Sequence, residues 1–291
     1  MGKASRRKAE NKAAGTKQQK VKPVPYVGRP FADLPDEAQW VAMREIVPAA
    51  TAPLTVEVDG ASHDITLATV LPMAWPAMKR DNGDVFVAIQ SLTGSGDASR
   101  DLGEVVRAAI ALPDGMPLEY PPKATADSPR MQDLVRSDAL EVTVQEGFDF
   151  WLDEAELDEE GRASMDRANE SVSPTVRMKD VPSAYWCRIG QRTYVRWILE
   201  ADENRATDAL ARLHAAGESG LGDGRLLGAF RAYGLLVPVW EVDASTEAAE
   251  HDSAMGELAQ RFERALAVDT PLTPEERRAR NGVVSRQITL R

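Results

Sequence analysis

The sequence predicts an α+β fold in which antiparallel hairpins pack with helices, and three observations carry that expectation. Alternating apolar runs recur in pairs around short turn sequences, as in LTVEVDGASHDITLATV and YWCRIGQRTYVRWIL. Stretches with helical apolar spacing follow such pairs, as in DLGEVVRAAI and DALARLHAA. Hairpins and helices are interspersed instead of alternating strictly as β-α-β-α, which argues against a parallel, doubly wound sheet.

Taken in order, residues 1–25 hold almost no large apolar side chain before Val21, so burial cannot offset the entropy of ordering them. They are expected to be a disordered basic arm. In residues 33–47, Pro35, Asp36 and Glu37 suit a first helical turn and Pro48 stops the run. Residues 54–70 form a hairpin around Asp59 and Gly60, where the turn needs positive φ. After a turn at 81–84, residues 85–90 make a further strand, and Leu102, Val105, Val106, Ala109 and Ile110 mark an amphipathic helix. The proline-rich stretch 113–129 reads as a loop between lobes, dividing a first lobe, 26–125, from a second, 126–291.

In the second lobe, residues 140–145 and 148–152 read as strands around Glu146 and Gly147, and 185–189 pairs with 193–199 across Gly190 and Gln191. A helix over 207–216 ends at Gly217, a C′ residue. Strand 235–242 contains Pro238, which places it at an edge or a bulge. Met255, Leu258, Phe262 and Leu266 line a helix, and Thr273, Pro274 and Glu276 open another with a capping box. The order Trp75, strand 85–90, helix can be laid against Trp186, strand 193–199, helix, which leaves a duplicated β-β-α lobe open.

Composition bounds the function. With 291 residues, 43% of them hydrophobic, the chain can bury one large core or two modest ones. Its net charge of −11 is segregated: Lys3, Arg6, Arg7, Lys8, Lys12, Lys17, Lys20 and Lys22 face a single Glu10, giving the leader +7 and the remainder −18. An acidic body repels nucleic acid, whereas a cationic leader attracts phosphate or an acidic protein surface in a salt-sensitive way. The leader lacks a signal peptide's apolar run, and no stretch approaches the roughly 18 apolar residues of a membrane span, so the expected location is cytoplasmic. A single Cys187 excludes an internal disulfide and a thiolate cluster for zinc.

The stretch LTGSGDASRDL, residues 92–102, poses the sharpest chemical question. A strand, a glycine loop and a helix follow one another, the order in which backbone N–H groups cradle a phosphate. If the loop takes a ligand, Gly94, Gly96, Asp97, Ser99, Arg100 and Asp101 are the residues at that helix start. The details run against a phosphate: no Lys-Ser/Thr pair follows the second glycine, the third glycine of GxGxxG is missing, and Asp97 and Asp101 repel an anion. Helix capping by Asp97 or Ser99 explains the same residues.

Elsewhere, His63, His214 and His251 lack the spacing of metal ligands. The acidic run 153–162 lacks the order of a calcium loop and reads as a solvated helical face. Trp186 and Trp197, on opposite arms of one hairpin, read as core, and Cys187 as a small buried hydrophobe. No Ser-His-Asp or Cys-His set assembles, so no catalytic residue, metal or cofactor is assigned.

Several stretches together resemble a known family: TLATVLPMAWPA, TGSGDASRDL, PSAYWC, RLHAAGESGLGDGRLLGAFRAYGLLVPVWEV and PLTPEERRARNGVVSRQITL. They are similar to an uncharacterised actinobacterial family, domain of unknown function 5926, over nearly everything after Pro30. The resemblance implies no catalytic residue. Some members are labelled SecA-related because they carry an N-terminal zinc motif; the leader here has no cysteine, so no zinc ligand carries over. The expectation is a non-enzymatic binding or adaptor protein whose basic arm contacts nucleic acid, a ribosome or an acidic protein. The alternative is a nucleotide- or phosphate-binding enzyme built on the glycine loop. The carboxyl end, with Arg277, Arg278, Arg280, Arg286 and Arg291, is either a second anchor or a helix docked on the acidic body.

Overall fold

The computed structural model describes residues 22–90, 94–151 and 159–285, without the side chains of 284 and 285. Two sheets and seven α-helices make up these residues, an α+β architecture. The first hairpin pairs β1 (Ala50–Val58) with β2 (Ala61–Ala68), and the turn is left-handed at both Asp59, φ 50°, and Gly60, φ 80°. That geometry matches the twist of the strands it joins. Strands β3 (Ala77–Lys79), β4 (Val85–Ala88), β5 (Pro117–Leu118) and β6 (Thr143–Val144) complete the sheet in the order β5-β3-β4-β2-β1-β6, with β2 and β4 parallel. Helices α1 (Glu37–Glu45) and α2 (Ala98–Ile110) cover one face, burying Trp40, Val41, Leu102, Val105 and Val106 against Leu54, Leu67 and Val87.

Beyond the short α3 (Met131–Leu134) and α4 (Glu159–Glu170), the second sheet is antiparallel throughout. It runs β10 (Arg225–Ala232), β11 (Leu235–Val242), β9 (Arg192–Trp197), β8 (Ala184–Ile189), β7 (Thr175–Arg177). One face packs Trp186, Trp197 and Trp240 against α5 (Glu203–Ala215) and α6 (Asp252–Leu266), with Val283 of α7 (Pro274–Ser285) joining them. The opposite face sends Tyr185, Ile198, Leu235 and Val237 into the core of the first sheet. Helix α1 carries polar links across that contact. The Gln39 amide donates to the Pro182 carbonyl at 3.0 Å, the Tyr185 hydroxyl donates to Gln39 Oε1, and Arg196 Nη2 donates to the Ile46 carbonyl at 3.0 Å.

Hairpin β3–β4 and hairpin β8–β9 are each followed by a helix of 13 residues with an aspartate N-cap, Asp97 and Asp202. The likeness stops at their neighbours, because β4 lies parallel to β2 whereas β9 lies antiparallel to β11. Pairing of Thr51 with Thr143 carries the first sheet across residue 126, as does the shared core.

Several local expectations are corrected. Residues 148–151 form no strand: Phe148 and Trp151 stack at 4.3 Å across a 3₁₀ turn, Asp149–Trp151, and Trp151 Nε1 donates to the Val70 carbonyl at 2.8 Å. Their aromatic content reflects packing beneath the first sheet and not a pleat. Strand β11 is interior, not an edge. Pro238 sits between the Val239–Arg196 pair and the Leu236–Leu199 bridge of the same register, so its missing N–H leaves a gap in the ladder that the pairing on either side spans. A register shift between Leu226 and Gly228 lies on neighbouring β10. Strands β7 and β10 carry no clear alternation in sequence and form by pairing with β8 and β11. The capping box is present: the Glu276 N–H donates to Thr273 Oγ1 at 3.2 Å and the Thr273 N–H to Glu276 Oε2 at 2.7 Å.

Candidate functional site

Asp97 is the N-cap of α2, its Oδ1 accepting the Ser99 N–H at 3.1 Å. Its side chain is 1% exposed, and Oδ2 meets Arg130 Nε at 3.1 Å and Arg100 Nε at 3.3 Å. Asp101 turns back along the helix start, accepting the Ser95 N–H at 3.1 Å. The Ser99 hydroxyl donates to Gln132 Oε1 at 2.7 Å and accepts the Met131 N–H at 2.9 Å, and Arg100 Nη1 donates to the Ser128 carbonyl. Donors that would face an incoming anion are directed at the chain's own carboxylates. Asp97 occupies, electrostatically, the place of a helix-bound phosphate.

Gly94 and Gly96 serve the strand–helix connection and a close approach of the leader. The Val27 N–H donates to the Gly96 carbonyl at 2.9 Å. Gly96 has φ +107°, and a Cβ there would stand 3.5 Å from Tyr26 Cα. On the other side the β10–β11 turn presses in: a Cβ on Gly234, φ +83°, would stand 2.8 Å from the Gly28 carbonyl oxygen. Arg130 Nη2 and Gln132 Nε2 both donate to the Pro30 carbonyl at 2.8 Å, and Arg29 grips Glu37 through two bonds of 2.7 and 2.6 Å. The Glu37 bond is the main cause raising the Arg29 pKa above its ordinary value. Residues 26–32 are thus strapped between the two sheets' turns, a contact no local pattern announces.

Clefts open on both sides of the strap. The larger, about 750 Å³, is bordered by Arg44, Glu45, Asp101, Glu203, Arg231 and Tyr233. Arg231 pairs with Glu203, and Arg44 Nε donates to the Tyr233 hydroxyl at 2.7 Å. The smaller, about 520 Å³, lies between residues 22–24 and 121–124 with Gly94 and Ser95 alongside.

The sequence profile of a family of unknown function, DUF5926, matches residues 30–291. The chain belongs to DUF5926. No curated protein and no solved structure matches it. The DUF5926 match begins at Pro30, so the glycine loop lies within it while residues 22–29 and the cations upstream lie outside.

The other sequence candidates in this DUF5926 chain are placed as follows. Of the leader cations, Lys22 is described and exposed; Lys3, Arg6, Arg7, Lys8, Lys12, Lys17 and Lys20 lie outside the described residues. His214 Nδ1 meets Ser219 Oγ at 3.0 Å and His251 Nε2 meets Thr246 Oγ1 at 2.7 Å. No group of three metal-ligating side chains occurs among the described residues. Cys187 is buried, and burial is the main cause raising its thiol pKa. Trp197 packs on Phe262 with centroids 5.1 Å apart. Residues 159–170 form a helix with no buried side chain; 153–158 lie outside the described residues. At the carboxyl end, Arg280 docks internally, donating to Asp208 of α5 at 2.6 Å and Asn204 at 3.0 Å, whereas Arg286 and Arg291 lie outside the described residues. No helix among the described residues is long and apolar enough to cross a membrane.

Proposed function

We propose that this protein is a non-enzymatic binding module, an adaptor that attaches to an anionic partner through its basic N-terminal arm. The observation that carries this reading is the anchoring of the leader. A segment bearing +7 joins a body bearing −18 through a strap held at Gly96, Pro30 and Glu37. A cationic tether on an acidic body concentrates binding at the arm, because the body repels polyanions while the arm attracts them and displaces their counterions. The polar groups of the glycine loop are engaged in capping α2, which favours attachment over phosphoryl chemistry at that loop.

The test is association of the full chain with RNA and co-purifying partners at low and moderate salt. Replacing Lys3, Arg6, Arg7, Lys8, Lys12, Lys17 and Lys20 by glutamine is expected to abolish it. If seven phosphate contacts are lost from a single strand, the salt slope falls by roughly 5. Unchanged association would overturn the reading. The competing reading, a nucleotide or phosphate ligand at Gly94–Asp101, is favoured by the cleft of about 750 Å³ beside the loop. Saturable thermal stabilisation by a nucleotide, abolished by Arg100→Ala, would establish it instead.

A further inference from the structure

We infer that the β5 edge of the first sheet is the contact through which two copies of this chain pair, the Met73 side chain of each seating in an apolar pocket of the other. Strand β5 closes one side of that sheet. Six large apolar or aromatic side chains are exposed among the described residues, and three of them gather there: Met73 at 83%, Met116 at 51% and Tyr120 at 78%. Register brings them together, because Ala77 pairs with Leu118 and the Lys79 N–H donates to the Met116 carbonyl at 3.0 Å. Apolar side chains clustered on a surface, unlike scattered ones, mark a place of contact.

A pocket of about 180 Å³ opens in the same patch, walled by Leu71, Ala74, Trp75, Pro76, Ala88 and Pro121. A cavity of about 150 Å³ takes a benzene ring, so this one receives a single side chain and falls short of the roughly 300–1,000 Å³ of sites for larger ligands. Met73 is not part of its wall. It stands at the rim, between Leu71 and Ala74, on backbone that is left-handed at both Met73, φ 54°, and Ala74, φ 56°, a conformation such residues adopt only at a cost. An apolar side chain is thus held in solvent beside an apolar hole, the self-complementary arrangement that a two-fold contact needs.

Charge selects a second copy as the occupant. Glu119, at the pocket's border, and Lys123 are both exposed and form no ion pair among the described residues, although Lys79 nearby meets Asp114 at 2.9 Å. They lie two residues to either side of Pro121. A two-fold axis passing by Pro121 therefore sets Glu119 of each copy against Lys123 of the other, giving two ion pairs. Pro117 has no N–H to offer a further strand, so side chains set the contact, and it closes as a pair instead of growing as a sheet. Lys22 and Pro121 line one cleft, which puts the two leaders beside the axis, where arms that attract a polyanion act in duplicate. The pairing itself does not depend on what the arm binds.

The test is sedimentation equilibrium of the full chain across a wide range of concentration, with a monomer–dimer equilibrium expected. Met73→Asp, a residue that tolerates left-handed backbone, should raise the dimer dissociation constant by about tenfold or more. Glu119→Lys and Lys123→Glu should each raise it by about tenfold, because symmetry counts each change twice. An equimolar mixture of those two charge variants should pair about as tightly as the unaltered chain, since both contacts then join opposite charges. All three side chains are exposed, so unchanged melting temperatures in dilute solution verify folding. A monomer at every concentration, a dimer indifferent to the three substitutions, or a mixture no tighter than its components overturns the contact. A dimer that survives Met73→Asp but is lost with glutamine at the upstream leader cations assigns the pairing to the leader and overturns it as well.

Discussion

Asp97 and Arg130 meet at 3.1 Å across 33 residues of chain, the carboxylate buried and the guanidinium partly so. One carboxyl group thereby closes the start of α2, fixes the segment leading into α3 and, through Arg130, holds the Pro30 carbonyl of the strap.

Asp97→Ala is therefore expected to destabilise the protein by about 2–3 kcal/mol, combining a lost cap with two arginines left without their buried partner. Asp97→Asn keeps an N-cap and loses the charge, at a cost of about 1 kcal/mol. Urea midpoints at constant m-value measure both. A loss under about 0.5 kcal/mol in Asp97→Ala, typical of a surface change, would remove this carboxylate from the centre of the account.

Gly234 and Gly60 separate two costs of adding a methyl group. Both have positive φ, +83° and +80°, yet a Cβ at Gly60 meets nothing within 4 Å, whereas one at Gly234 meets the Gly28 oxygen at 2.8 Å. Gly60→Ala should lose about 1 kcal/mol from the backbone alone. Gly234→Ala should lose more and should accelerate amide exchange at Val27, whose N–H is bonded to Gly96. Equal effects of the two substitutions would mean that the strap is not clamped by the turn.

Tyr185 gives the protein an alkaline limit. Burial, the main cause, pushes its pKa from 10.0 up to about 12, against the smaller opposing effects of Arg177 and the Gln39 bond. A raised folded-state pKa favours the protonated phenol in the native state. Its contribution is therefore complete below pH 10 and is lost as pH rises toward 12, amounting to about 2–3 kcal/mol. Tyr185→Phe should flatten that alkaline decline, and at neutral pH should cost about 1–2 kcal/mol by leaving Gln39 Oε1 without its donor. Urea unfolding from neutral pH to pH 11, compared between the two proteins, checks the sign; parallel curves would contradict it.

The local features were legible because each is written within a few residues. The Asp59 and Gly60 turn, the Asp97 and Thr273 caps, Gly217 after α5 and the apolar stripes of α2 and α6 all follow from spacing and short-range hydrogen bonding. At Gly217 the N–H donates to the His214 carbonyl at 3.2 Å and the Glu218 N–H to the Leu213 carbonyl at 2.8 Å, the bonds of a Schellman end. The run 148–151 misled for the opposite reason. Its aromatic residues satisfy a β pattern, but Asn169 Oδ1 takes the Phe148 N–H at 2.7 Å and folds the run into a turn.

By itself the sequence determined the α+β class, the segregation of charge, the starts of α2 and α7 and the family, since each depends on composition, on period or on neighbours along the chain, whereas α1 begins at Glu37 and α5 at Glu203, away from the expected 33 and 207. Only the tertiary structure decided which groups the glycine loop is bonded to. Whether Asp97 and Arg100 are free to meet a ligand depends on Arg130 and Ser128, and whether the leader is anchored depends on Gly96 and Gly234. Those partners lie tens of residues apart, and a side chain's hydrogen-bonding capacity is allotted by whichever groups packing brings within about 3 Å, a distance that spacing along a chain does not encode.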